Sequence, residues 1–229
     1  MGGIGLIETD KVKTKDLFFS VPPYLSELFG GATYPWEIVG RIKDFAGILW
    51  DLNPCGFERR AGGVLLGGGV KISKTAEIEG SAVIGNDVEI RAGAYIRGGV
   101  IICDGCVIGN STELKNCIVL PRAQLPHYNY VGDSIIGSGA HLGAGVICSN
   151  LKSDKKSVFV RGKQSYETGM RKLGAIVGDG AEVGCGSVLC PGAVIGRNAV
   201  VYPLSLVRGV VPENSILKSE GKIVARENK

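Results

Sequence analysis

Aliphatic residues recur at every sixth position through much of this 229-residue chain. Ile72, Ile78, Ile84, Ile90, Ile96, Ile102, Ile108, Leu114 and Leu120 form one unbroken run, and Val177, Val183, Leu189, Ile195, Val201 and Val207 form another. Between them Ile136, Leu142 and Cys148 keep the spacing in a shifted phase. A helix repeats every 3.6 residues and a strand every two, so neither requires a period of six. A hexapeptide repeat does, and it marks a parallel β-helix. Three hexads make one triangular coil, each giving a short strand whose aliphatic anchor points inward. Stacked coils pair in parallel at about 4.8 Å, so roughly six coils form a prism about 30 Å long.

The repeat divides the chain. Residues 1–70 lie outside it and read as a helical segment. Pro35 can open a helix, because its ring presets the backbone angle where no donor is needed. Ile38, Ile42, Phe45 and Leu49 then follow at steps of four, three and four, one apolar stripe on one helix. Trp36 and Trp50 are expected to pack it on the first coils, and Asn53, Pro54 and Gly56 to end it. AGGVLLGGGV (61–70) lacks the Lys-Ser/Thr ending of a phosphate loop and reads as an approach to the first coil. The solenoid is expected over 71–217 and a tail over 218–229. Pro212 is expected to stop the stacking before a cap covers the open edge.

The 36 glycines would suggest disorder if they were scattered. Many follow the anchors directly (Gly85, Gly109, Gly137, Gly143, Gly178, Gly184, Gly196), which reads as turns needing backbone angles that other residues avoid. The period fails twice. One break is PRAQLPHYNY (121–130). The other is a charged insertion over 151–175 that holds Lys155, Lys156, Arg161, Lys163, Arg171 and Lys172. Loops ejected from a solenoid often form its binding face.

Bulk properties narrow the function. A net charge of +4 suits small anionic ligands and is too weak to argue for nucleic acid. No apolar run is long enough for a membrane span, and no secretory leader is evident at the start. Seven cysteines without scaffold spacing fit free thiols in the cytoplasm. Cys103 and Cys106 form a C-x-x-C pair with no second pair. Cys106 falls four residues after the anchor Ile102, where a buried thiol packs well. The chain has two histidines, His127 and His141, against the three protein ligands a catalytic zinc generally takes, so no metal is expected.

The period together with PHYNYVGDSIIGSGAHLGAGVICSN (126–150) resembles the left-handed β-helix acyltransferases. The likeness is to the acetyltransferase half of bifunctional glucosamine-1-phosphate acetyltransferase/N-acetylglucosamine-1-phosphate uridylyltransferases, and it spans about 110–217. It implies a left-handed triangular prism, a homotrimer with sites at the subunit junctions, acetyl-CoA as co-substrate, and a sugar phosphate or amino sugar as acceptor. By the same resemblance, His127 matches the catalytic base and Asn150 the asparagine holding the reacting amine. Tyr130 falls at the sugar-phosphate site and Lys156 near a phosphate-contacting lysine. Ala144 lies by the coenzyme A arm, and Arg171 and Lys172 are further candidates for anionic groups. His141 stands where the family usually has asparagine, and Leu151-Lys152 where it often has Tyr-Asp, which leaves the acceptor sugar open. No nucleotidyltransferase signature is present, so uridylyl transfer is not expected of this chain.

The chemistry suits the string. A thioester needs a nucleophile that loses a proton as it attacks, and histidine titrates near neutral pH. An asparagine carbonyl can orient an amine. The oxyanion needs donors, which Gly-rich turns are expected to offer as open backbone N–H groups. Without the resemblance His127 would read as a packing or surface residue, Tyr130 as a repeat anchor six before Ile136, and Asn150 as a turn residue. The competing function is a non-catalytic sugar-nucleotide-binding or assembly β-helix. A third reading is a partner for a separate nucleotidyltransferase chain, docked through the N-terminal helix.

Overall fold

The computed structural model describes residues 10–227; the question of a leader falls partly on residues 1–9, outside the described residues. The six-residue period builds a parallel β-solenoid with three faces. One face stacks Val64–Leu66, Ala82–Ile84, the second half of Tyr95–Ile102, and upward through Ala175–Val177 and Ala193–Ile195. A second runs from Lys71–Ile72 through Glu89–Ile90, Val107–Asn110, Gln124–His127 and His141–Leu142 to Ser215–Leu217. The third runs from Glu77–Glu79 through Tyr95, Glu113 and Tyr130 to Ile147–Cys148 and Leu206–Val207. The anchors form one continuous buried column, for example Ile84, Ile102, Val119, Ile136, Val177 and Ile195.

Three sequence readings need correction here. First, coils do not all hold eighteen residues. Ala82 pairs with Val100, eighteen residues on, but Val100 pairs with Cys117, seventeen on. The register slips between Arg97 and Val100, where Gly98–Gly99 on one coil face the single Asn116 on the next. Val119, not Leu120, is therefore the anchor; Leu120 is buried on the outer side. The segment 121–130 is no excursion, because Gln124–His127 pairs regularly on both sides. Val131 takes the anchor position, and Tyr130 faces outward.

Second, the glycines after the anchors serve close approach rather than unusual angles. None of the seven has a positive φ; those angles fall at corner residues such as Gly139, Gly145, Gly180 and Asn198. A Cβ on Gly143 would stand 2.7 Å from the Cys185 nitrogen of the next coil. Third, Pro212 does not stop the stack. Ser215–Leu217 still pairs with the coil below, and Ile223–Ala225 closes the edge as an antiparallel strand.

The N-terminal segment covers one face. On that face the residue before each anchor is also apolar: Leu65, Val83, Ile101, Ile118, Ile135, Ile176 and Val194. In a strand this neighbour points outward, and all seven are buried in a second core with Ile38, Ile42, Phe45 and Leu49. Each such burial contributes about 1.5–3 kcal/mol. The expected single helix is two, Pro35–Val39 and Ile42–Leu52, parted at Gly40–Arg41. Asn53 caps the second in a left-handed conformation. The first solenoid strand, Val64–Leu66, lies ahead of the start expected at residue 71.

The insertion folds back on the same layer. Its ends are tied by the Leu151–Lys172 bridge and by the Leu173 N–H donating to the Asn150 carbonyl at 3.0 Å. Its hairpin, Phe159–Arg161 with Ser165–Glu167, buries Val158 and Val160 in the second core. Tyr166 packs beside Trp36, which stacks on Tyr34 at 4.6 Å. Trp36 thus meets the insertion, while Trp50 lies under the Arg59 guanidinium.

Candidate functional site

Tyr130 begins the third-face strand of its coil and Asn150 ends the corresponding turn of the next, since Val131 pairs with Cys148. Gly132 lies between them. A Cβ there would meet the Tyr130 hydroxyl at 2.6 Å and the Asn150 amide nitrogen at 2.7 Å, so both groups converge over the bare Cα. Burial, then the Glu113 carboxylate, holds the Tyr130 phenol above its ordinary value, and it stays protonated at neutral pH.

Asp133 fixes this arrangement. It occupies the corner in a left-handed conformation (φ 48°), which Asp tolerates better than most residues. Its buried carboxylate accepts from Asn116 Nδ2 at 2.8 Å and from Asn150 Nδ2, and the Lys115 ammonium lies 3.7 Å away. Asn116 Nδ2 also donates to the Val39 carbonyl at 3.3 Å. The chain Val39–Asn116–Asp133–Asn150 therefore joins the N-terminal layer to the Asn150 amide.

Below Gly132 on the same outward column stand Lys115 and then Arg97, in register. Arg97 pairs with Glu113 at 2.8 Å. They open onto a groove of about 690 Å³ lined also by Lys43, Asn116 and Asp133. Sequence reasoning missed Arg97, Lys115, Gly132 and Asp133. Arg97 and Lys115 are one coil apart, so the period that located the anchors also carried them. A larger cavity of about 800 Å³, between Pro22–Tyr24 and Pro54–Phe57, holds none of the candidate residues.

His127 ends the second-face strand and is exposed at the next corner. Ala144 stands directly above it, since Gln124 pairs with His141 and the Gly145 N–H donates to the His127 carbonyl at 3.0 Å. No hydrogen bond among the described residues joins His127 to Asn150; the strand from Tyr130 to Gly132 separates them. Arg171 and Lys172 are exposed beside Asn150 through the Leu151–Lys172 bridge. Lys156 is exposed on the insertion, its N–H donating to Asp154, and no hydrogen bond among the described residues joins it to Tyr130 or Asn150. Arg161 and Lys163 lie elsewhere, beside Asp10 and Arg208.

The glycines expected to offer open N–H groups do not. Those of Gly137, Gly143, Gly178, Gly184 and Gly196 all donate to carbonyls of the next coil. The Ala144 N–H has no partner among the described residues. Cys103 faces the second core and Cys106 the first, so the C-x-x-C pair does not converge, and no group of three metal-binding side chains occurs among the described residues.

A parallel β-solenoid of hexapeptide coils, with a polar cluster at one corner and a histidine at another, is the class this fold and site define. Over about half of its length the chain is similar to bifunctional GlmU proteins and sugar-1-phosphate nucleotidylyltransferase/acetyltransferases. It is 38% identical over 116 residues to the bifunctional GlmU of Methanococcus maripaludis, covering 51% of this chain and 28% of that protein. It is 39% identical over 101 residues to a bifunctional sugar-1-phosphate nucleotidylyltransferase/acetyltransferase of Sulfurisphaera tokodaii, covering 44% and 25%. The chain thus spans less than a third of the length of these relatives. Residues 78–165 match the family model of the GMPPB C-terminal domain. Among solved structures, PerB from Caulobacter crescentus, in complex with CoA and GDP-perosamine, is similar in fold: TM-score 0.42, 21% identity, 68% of this chain and 57% of that one. No helix among the described residues is long and apolar enough to cross a membrane.

Proposed function

We propose that the protein transfers an acetyl group from acetyl-CoA to an amino sugar carried on phosphate. The observation that carries this reading is the convergence of Tyr130 and the Asp133-held Asn150 over Gly132, in line with the cations Lys115 and Arg97. The amide Nδ2 of Asn150 is committed to Asp133, which leaves its carbonyl oxygen to accept from the sugar amine. Lys115 and Arg97 then lie where the phosphate would extend, with Arg171 and Lys172 on the opposite side. Lys156 is assigned to the outer reach of the same anion.

In the reaction His127 takes a proton from the ammonium, the amine nitrogen attacks the thioester carbonyl carbon, and the C–S bond breaks. As that bond breaks the attacking nitrogen gives up a second proton; of the two protons it has lost, one goes to the sulfur, so that the coenzyme leaves as thiol, and the other to solvent, and the amine becomes an acetamide. The Ala144 N–H, one coil above His127 and without a partner among the described residues, is assigned to the oxyanion. No metal takes part in this scheme.

His127 and Asn150 stand apart within one chain, so the reading requires a second copy to complete the site. The corner that carries His127 and Ala144 also exposes Tyr128, Tyr202 and Leu204, with Leu206 exposed on the third-face strand that follows it. Tyr128 and Leu204 hold left-handed backbone angles there, an unfavourable state for bulky residues. We assign this apolar corner to a homotrimer junction with acetyl-CoA along it, and the free thiols to the cytoplasm. The test is release of free thiol from acetyl-CoA with hexosamine 1-phosphates. His127→Ala is expected to abolish it; turnover unaffected by that change would reject the assigned base.

A further inference from the structure

We infer that the N-terminal layer is part of the acceptor site, and that Lys43 binds the phosphate of the acceptor; the inference rests on the function proposed above. Lys43 belongs to the helix Ile42–Leu52, outside the stretch that matches the family model. The structure nevertheless sets it in the groove of Arg97 and Lys115. The approach is close because the corner beneath is bare. A Cβ on Gly99 would stand 3.3 Å from Lys43 Cβ and 3.6 Å from its Cα. Gly98 and Gly99, both with positive φ, leave the room that the side chains of Asn116 and Asp133 fill one and two coils on.

Charge singles out Lys43. Arg97 is held by Glu113, and Lys115 stands beside Asp133. Glu79, the remaining carboxylate lining the groove, lies close enough to the Tyr95 phenol to hold it above its ordinary value. Lys43 makes no ion pair among the described residues, so its ammonium is the one least compensated here. A phosphate extending from a sugar over Gly132 reaches Lys115 and Arg97 along the strand and Lys43 from the helix side. Ammonium, as a compact point charge with three donors, suits that role. The same layer grips the site through the Val39 carbonyl and Asn116, so the helices over this face act as more than a cover.

The test uses Lys43→Ala and Lys43→Arg in the full chain, with glucosamine 1-phosphate and unphosphorylated glucosamine as probes. Binding is read by calorimetry without acetyl-CoA, and turnover by thiol release. Lys43→Ala is expected to weaken the phosphorylated ligand about tenfold, in the range of one charged hydrogen bond, with the unphosphorylated ligand, the KM for acetyl-CoA and the melting temperature unchanged. Lys43→Arg is expected to keep most of the affinity. Unchanged affinity for the phosphorylated ligand, equal loss for both ligands, or no binding of the phosphorylated ligand by the unmodified protein would each overturn the inference. Tight, Lys43-dependent binding without any thiol release would leave Lys43 in place and reject acetyl transfer instead.

Discussion

Replacing Asp133 by asparagine tests the logic of the corner most directly. One carboxylate oxygen accepts from Asn116 Nδ2 at 2.8 Å and the other from Asn150 Nδ2. An asparagine keeps one acceptor and turns the other into an NH₂ that faces the NH₂ of Asn150. The Asn150 amide relieves this by rotating, which reverses the carbonyl that would hold the amine. The stability cost is modest: asparagine tolerates the left-handed backbone, and one charge-assisted bond of about 1.5–3 kcal/mol is replaced by a neutral one of about 1. A net loss of about 1 kcal/mol lowers the melting temperature by about 2–4 °C at this size. Alanine costs more. It adds about 1–2 kcal/mol for a side chain without a local acceptor at positive φ, and it leaves both amides short of a partner at about 1–3 kcal/mol each, for at least about 3 kcal/mol in all. The expected result is thus a split. Asp133→Asn stays folded yet loses at least a hundredfold in kcat/KM for the amino sugar, while Asp133→Ala loses both stability and activity. Near-normal turnover by a folded Asp133→Asn protein, read by thiol release beside a thermal melt, would refute the role given to Asn150.

The two classes of glycine are expected to respond differently to alanine. Gly109→Ala drives its methyl into the Pro126 carbonyl and prevents stable folding, whereas Gly139→Ala, with positive φ and no atom within 4 Å, costs only about 1–2 kcal/mol; urea melts compare them. Glu213, hydrogen-bonded first by Lys11 and then by Arg197, titrates below its usual range. Its contribution is complete above the unfolded-state value near 4.5 and is lost as the pH falls through the lower folded one. Glu213→Gln is therefore expected to flatten the acid limb of a melting-temperature profile below about pH 4.5, and an unchanged limb would rule it out. Leu204→Glu, at an exposed apolar corner residue, is expected to sediment as a monomer with an intact far-ultraviolet spectrum, and an unmodified chain that already sediments as a monomer would refute the proposed trimer junction.

The solenoid was legible because its signal is periodic and local: each anchor needs only its own hexad to be recognised. The cover on one face was just as legible and went unread. Doublets such as Val83–Ile84, Ile101–Ile102, Ile135–Ile136 and Val194–Ile195 put an apolar residue on each side of the strand, and only a second layer can bury the outer one. The Asp133–Asn150 pairing was not legible, because it joins two coils across a corner. The glycines after the anchors misled for a related reason, since composition does not distinguish a glycine needed for its angle from one needed for its missing Cβ.

The break in the period still marks the candidate site, but it lies elsewhere and acts differently than the interrupted spacing suggests. A regular corner here uses glycine, as at Gly80 and again at Gly192 and Gly209. Shortening the coil by one residue replaces the pair Gly98–Gly99 with Asn116 and then, one coil on, with Asp133. Each takes up the left-handed angle while bringing a polar side chain to a position that glycine leaves bare. Two such side chains stacked on adjacent coils bond to each other and present one remaining carboxylate oxygen to the next coil, where Asn150 stands. The insertion leaves the stack immediately after Asn150, and the Gly174 N–H returns to the Asp133 carbonyl at 2.8 Å. The one-residue contraction and the insertion thus serve a single end: they build a polar corner on an otherwise aliphatic repeat and fix the amide at its centre from both sides.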